Sequence, residues 1–206
     1  MVHLPPPDPG IELVVASRGI SKGLVQTDGV QAFGRAFLAF GRLQIGGQIK
    51  NVTSTTSNGE GWAFATMGFR LWHSDLVLGA AYKFQTGANR AIDRTALELT
   101  AGASRKFGHA GVKISLAYSP DDLGATGRSW YLEGGPAVDV AKATSLSAYV
   151  GRRERSGGPD YTAFNFGITQ RLLPALSADL RYYDTAESPL GNPYASRVVV
   201  SLRAKL

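Results

Sequence analysis

The sequence predicts an all-β protein, a transmembrane antiparallel up-and-down β-barrel of about twelve strands. Three observations predict it. Twelve stretches alternate apolar with polar or small residues, the period of a strand whose two faces meet different surroundings. The gaps between them are short and long by turns, as in bacterial outer-membrane barrels with tight periplasmic turns and longer external loops. No run of 18 or more apolar residues exists, so a conventional membrane helix is excluded while alternating strands are not.

The expected strands, in order, are Ile11–Arg18, Val30–Ala39, Leu43–Asn51, Trp62–Leu71, Leu76–Gln85 and Thr95–Arg105. They continue with Ala110–Tyr118, Ser129–Val138, Thr144–Arg153, Tyr161–Arg171, Leu176–Asp184 and Ala195–Leu206. Each carries a readable phase. In the third, Leu43, Ile45, Gly47 and Ile49 oppose Gln44, Gly46, Gln48 and Lys50. In the seventh, Val112, Ile114, Leu116 and Tyr118 oppose Lys113, Ser115 and Ala117. In the last, Val198, Val200 and Leu202 oppose Arg197, Ser201 and Arg203. The connections after even-numbered strands are tight (Phe40-Gly41-Arg42, Trp72 to Asp75, Lys106 to His109, Asp139 to Ala143, Leu172 to Ala175). Those after odd-numbered strands are longer and more polar: Gly19–Gly29, Val52–Gly61, Thr86–Arg94 and Ser119–Arg128. Ten residues tilted about 45° span roughly 23 Å, close to the apolar band such a barrel needs. Apolar-phase aromatics near strand ends (Phe40, Phe69, Phe84, Tyr118, Phe164, Tyr182), with Trp72 in a turn, fit interfacial girdles, although aromatics are common in any sheet.

The 206 residues show no interior linker, which favours one barrel domain over 11–206, preceded by a proline-rich lead-in over 1–10. An even strand count puts both termini on one side, the periplasmic one, at the outer membrane of a Gram-negative bacterium. The lead-in has neither a basic n-region nor an apolar core, so an exported protein would have lost its signal before this numbering begins. Mean hydropathy is −0.07, and cysteine is absent, consistent with an envelope protein that needs no disulfide. The net charge of +6 is spread singly along strands and loops, which argues against a nucleic-acid-binding face.

Three segments resemble a known family. Ala16-Ser17-Arg18-Gly19-Ile20-Ser21, followed by Gln26-Thr27-Asp28-Gly29, resembles the "RGISQTDG" signature of the TorF-type porins of proteobacteria, here interrupted by Lys22-Gly23-Leu24-Val25. The segments Asp160 to Ile168 and Leu180 to Thr185 are similar to that family's penultimate hairpin, and Ser196 to Leu202 to its closing strand. The resemblance implies an outer-membrane barrel of porin type, with no established substrate or functional residues to carry over. Two departures stand out: the chain ends in Leu206 where many outer-membrane barrels end in phenylalanine, and the middle strands carry few tyrosines.

No catalytic constellation emerges, and the chain does not read as an enzyme. His3, His73 and His109 lie in the lead-in and in tight turns, away from any serine–carboxylate pairing. Asp121-Asp122 lacks the further spaced ligands of a calcium loop and reads as a solvated turn. Asn51-Val52-Thr53 matches a glycosylation acceptor only in letters and reads as a strand end. Arg152-Arg153-Glu154-Arg155 is either a phosphate-binding patch at the outer leaflet or a solvated charged loop. Neither a cofactor nor a metal is expected.

The informative surface is the expected lumen. Its phase holds Glu12, Arg18, Arg35, Gln44, Gln48, Lys50, Arg70, Lys83, Glu98, Lys113, Glu133, Arg153, Asp179, Arg181 and Arg203, nine basic and four acidic side chains among them. An open lumen of this charge favours anions; a narrow one could be plugged by cross-lumen ion pairs. The expected function is a passive channel for small solutes, with outer-membrane lipid and lipopolysaccharide as surroundings. A non-conducting barrel that binds a protein partner through its loops or residues 1–10 is the alternative. A soluble ligand-binding barrel, with the greasy phase turned inward, also satisfies the alternation.

Overall fold

The alternating stretches pair, neighbour with neighbour, into one closed sheet. The computed structural model describes residues 6–53, 57–87 and 93–206. In chain order the strands are β1 (Asp8–Ala16), β2 (Gly19–Ser21), β3 (Leu24–Thr27), β4 (Gln31–Phe40), β5 (Leu43–Asn51), β6 (Gly59–Leu71) and β7 (Ser74–Thr86). They continue with β8 (Thr95–Phe107), β9 (Ala110–Asp122), β10 (Gly127–Ala141), β11 (Thr144–Arg155), β12 (Tyr161–Leu173), β13 (Leu176–Thr185) and β14 (Arg197–Lys205). All except β2 and β3 form the barrel, each antiparallel to its neighbours, and β1 closes it by pairing with both β14 and β4. Twelve strands therefore line the wall, as the alternation predicts. The first begins at Asp8, three residues before the expected Ile11.

The loop asymmetry has a plain structural form. Five connections at one end are two residues long: Gly41-Arg42, Trp72-His73, Gly108-His109, Lys142-Ala143 and Pro174-Ala175. Trp72 and His73 both take positive φ (48° and 66°), the twist a two-residue hairpin needs to match its strands. His73 and His109 lie in these turns, and His3 lies outside the described residues. The other end carries every longer connection, of which 54–56 and 88–92 lie outside the described residues.

The barrel is greasy outside and polar inside. Val198, Val200 and Leu202 are 54%, 51% and 48% exposed on the outer face, whereas Val199 between them is buried. Along β1, Ile11, Leu13 and Val15 face out and Glu12 turns in. The expected girdle aromatics Phe69, Phe84 and Phe164, together with Trp72 in its turn, are exposed. What the interior buries is largely polar: Glu60, Lys83, Glu98, Ser119, Asp122, Ser129 and Arg153. Such an arrangement in water would leave dozens of apolar side chains wet, each forgoing about 1.5–3 kcal/mol of burial. Among the described residues no helix is long and apolar enough to cross a membrane.

Candidate functional site

The lumen is built from the inward phase of all twelve wall strands plus one element that alternation did not locate. The connection Gly19–Gly29, expected as an external loop, folds into the barrel as the β2–β3 hairpin. Gly19 and Thr27 are buried, and Tyr161, wholly buried on β12, donates its hydroxyl to the Lys22 carbonyl at 2.7 Å. The turn is Lys22-Gly23, with φ of 50° and 82°. A Cβ on Gly23 would lie 2.2 Å from Ala163 Cβ, so only glycine allows this approach to the wall.

The hairpin tip delivers Lys22 to a buried charge cluster. Its Nζ lies 2.5 Å from Glu98 Oε2 and 3.3 Å from Asp122 Oδ2. Lys83 Nζ bridges the same carboxylates, at 3.0 Å from Glu98 and 2.5 Å from Asp122, and Arg153 Nη2 adds a contact of 2.9 Å to Asp122. Ser129 donates to Asp122 at 3.0 Å. Three cations against two carboxylates leave a net positive centre, and these side chains are no more than 12% exposed. Next to it, Lys50 pairs with Glu60 at 3.2 Å and donates to Gln26 of the hairpin at 2.6 Å. The Trp62 ring lies between Lys50 and Lys83, at 5.7 and 5.6 Å, and donates its indole N–H to Glu60.

Towards the short-turn end the lumen opens into a cavity of about 500 Å³ lined by Lys113, Glu133, Tyr149, Asn165, Asp179, Arg181, Tyr183 and Arg203. Arg181 is held by Asp179 at 3.1 Å, by Asn165 at 2.7 Å and by Ser147 at 2.8 Å; Arg203 lies 3.2 Å from Glu12. Thr169, Ser177 and Arg203 also line a wider vestibule of about 740 Å³ at the short-turn mouth, with Lys106, Lys142, Arg171 and Lys205 around it. None of these last four is ion-paired among the described residues.

Thirteen of the fifteen side chains expected in the lumen turn inward. Besides those above, Gln44 and Gln48 lie on the inner face of β5. Arg35 packs over the Phe64 ring at 4.2 Å, and Glu133 accepts from Tyr131 at 2.8 Å. The other two lie at the barrel's ends, Arg18 beyond its strand and Arg70, in the same phase of β6 as Trp62 and Phe64, at the short-turn mouth. Arg18 lies past the end of β1, exposed and paired with Asp28 at 2.9 Å, and its guanidinium helps hold the Asp28 carboxyl below the usual range. Arg70 is exposed at the turn end of β6.

Other expectations are corrected. Asp122 is no solvated turn residue but the hub of the buried cluster; Asp121 beside it is exposed. A register shift between Gly127 and Ser129, opposite Pro120, moves the inward position from 121 to 122. Arg153 and Arg155 turn in, Arg155 packing over Tyr161 and donating to the Tyr194 hydroxyl, while Arg152 points out towards Asp160. Glu60 lies outside the expected strand because β6 begins three residues earlier than expected; carrying the phase of Trp62 back by two finds it. No group of three or more metal-ligating side chains gathers among the described residues.

The chain matches no family model, and no curated protein matches it by sequence. Its fold is nevertheless that of solved outer-membrane porins. The KdgM porin, in complex with disordered oligogalacturonate, superposes with a TM-score of 0.65 at 8% identity, over 95% of this chain and 98% of that one. The NanC porin gives 0.63 at 8% identity, over 95% and 97%. The COG4313 outer membrane channel from Pseudomonas putida F1 gives 0.61 at 14% identity, over 98% and 96%.

Proposed function

We propose that the protein is a passive channel of the Gram-negative outer membrane, both termini periplasmic, that passes small solutes and favours anions. The observation that carries this reading is the inversion of the barrel: an apolar belt outside, and inside a polar lumen whose short-turn half is an open, basic cavity. Nine basic side chains (Lys22, Arg35, Lys50, Lys83, Lys113, Arg153, Arg155, Arg181, Arg203) face six carboxylates (Glu12, Glu60, Glu98, Asp122, Glu133, Asp179) within the barrel. Lys106, Lys142, Arg171 and Lys205, unpaired among the described residues, outnumber Asp139 at the vestibule and add to that excess at the mouth, where they would concentrate anions before entry. Oligogalacturonate, the ligand of the KdgM porin, is an anionic sugar chain, so small carboxylated solutes are the class to try first. Assignment to the TorF-type porins rests on the split signature around Arg18 and Gln26. Lipid and lipopolysaccharide are the expected surroundings of the belt, and the long-loop end or residues 1–10 could hold a protein partner.

A second reading, a non-conducting structural barrel, is favoured by one observation: the hairpin and its ion pairs leave the long-loop half of the lumen a cavity of only about 190 Å³. The reversal potential of the purified protein in a planar bilayer under a KCl gradient separates the two. The channel reading expects unitary currents that reverse on the chloride side of zero. Cation-side reversal would remove the anion preference, and silence at every salt concentration would remove the channel.

A further inference from the structure

We infer that the β2–β3 hairpin is the permeation constriction of this barrel and that Lys22, at its tip, is the residue that sets both the size and the ion preference of the pathway. This inference rests on the channel reading. The hairpin partitions the lumen. Ile20, Lys22 and Gly23 border the cavity continuous with the short-turn mouth, while Ser21, Lys22 and Leu24 border a second cavity of about 190 Å³ towards the long-loop end. Lys22 is common to both, so a solute crossing the barrel must pass its side chain.

The tip is held by contacts of different kinds. Its ammonium bridges Glu98 and Asp122, its carbonyl accepts from Tyr161, and Gly23 packs on Ala163. Leu24 packs against Tyr161, Ala163 and Tyr194. Lysine at φ of 50° is itself uncommon, because the left-handed region strains an L-residue where glycine would be at ease. A residue that served only to turn the chain would not need the long cationic side chain that reaches the two carboxylates. The local balance makes Lys22 decisive: with it the cluster of Lys22, Lys83, Arg153, Glu98 and Asp122 is net positive, and without it neutral, its carboxylates partly uncovered. The segment is also separable in sequence. Removing Lys22-Gly23-Leu24-Val25 joins Arg18-Gly19-Ile20-Ser21 directly to Gln26-Thr27-Asp28-Gly29.

The test compares the full chain with K22M, K22R and a deletion of residues 22–25 in planar bilayers, after each is shown to fold by its heat-dependent shift on a detergent gel. The deletion is expected to raise unitary conductance at least about twofold by widening the narrowest section. K22M is expected to lower the chloride-to-potassium permeability ratio by about thirtyfold, because one unit charge lost at about 4 Å in water disfavours the anion about fivefold and favours the cation about fivefold, and K22R to keep it. A silent wild type whose deletion variant conducts also supports the constriction. Wild-type conductance and selectivity in both K22M and the deletion would overturn this inference alone. Silence in every folded form would overturn the channel reading and, with it, the constriction.

Discussion

Leu116 and Ser115 are chain neighbours near the middle of β9, and the alternation of the strand turns them towards opposite solvents. Leu116 faces outward beside Leu132 of β10 and Ala101 of β8. Ser115 faces inward directly across from Glu133. An arginine at a lipid-facing site near the bilayer midplane costs about 2–4 kcal/mol, and Leu116 is the seventh of thirteen residues in its strand. Leu116→Arg should therefore lower the folding equilibrium constant by about thirty-fold to a thousand-fold, at 1.36 kcal/mol per factor of ten. Ser115→Arg places the same group in the lumen beside a carboxylate, within about 1 kcal/mol of wild type. Urea titration of folding into phospholipid vesicles, followed by tryptophan fluorescence, reads the difference as a shift in midpoint at constant slope. Equal destabilisation by the two arginines would refute the assignment of faces.

Two further outcomes follow from the packing. Lys83→Met removes a cation that bridges Glu98 and Asp122; it should cost about 2–4 kcal/mol in the same titration, and adding Glu98→Leu should recover at least half. Gly135→Ala would set a Cβ 1.9 Å from the Ala148 carbonyl oxygen and should cost at least about 2 kcal/mol, whereas Gly34→Ala, whose Cβ meets only Leu13 at 3.7 Å, should change stability by less than about 1 kcal/mol. Similar midpoints for the two alanine variants would contradict the close strand approach at Gly135.

Much of this architecture is legible in the sequence because a strand's side-chain period is fixed. Leu43–Asn51 has its expected ends to the residue, and the outward set Val198, Val200 and Leu202 could be read without coordinates. Legibility fails where that period breaks or where a loop reverses direction. Running the alternation past Ala16, where the strand stops, puts Arg18 in the lumen. Asp122 was hidden by the bulge that follows Pro120; proline in a strand interior is the available signal, because it cannot donate to the ladder. The inward hairpin left a fainter trace. Gly19–Gly29 has the polar, glycine-rich composition of any external loop, and its burial depends on Tyr161, Ala163, Glu98 and Asp122, far along the chain. The four residues that split the opening signature were the only local sign that this connection carries something of its own.

The sequence contains no cysteine, so single cysteines can be introduced without background. The most direct measurement is the reaction of Val200→Cys and Ser201→Cys with a small, membrane-impermeant thiol reagent after folding into vesicles. Ser201 lines the cavity at the short-turn end and Val200 lies on the outer belt. Ser201→Cys is expected to be modified and Val200→Cys to be protected. Modification of Val200→Cys with protection of Ser201→Cys would contradict the assignment of faces, because the apolar face would then be the one bathed in water.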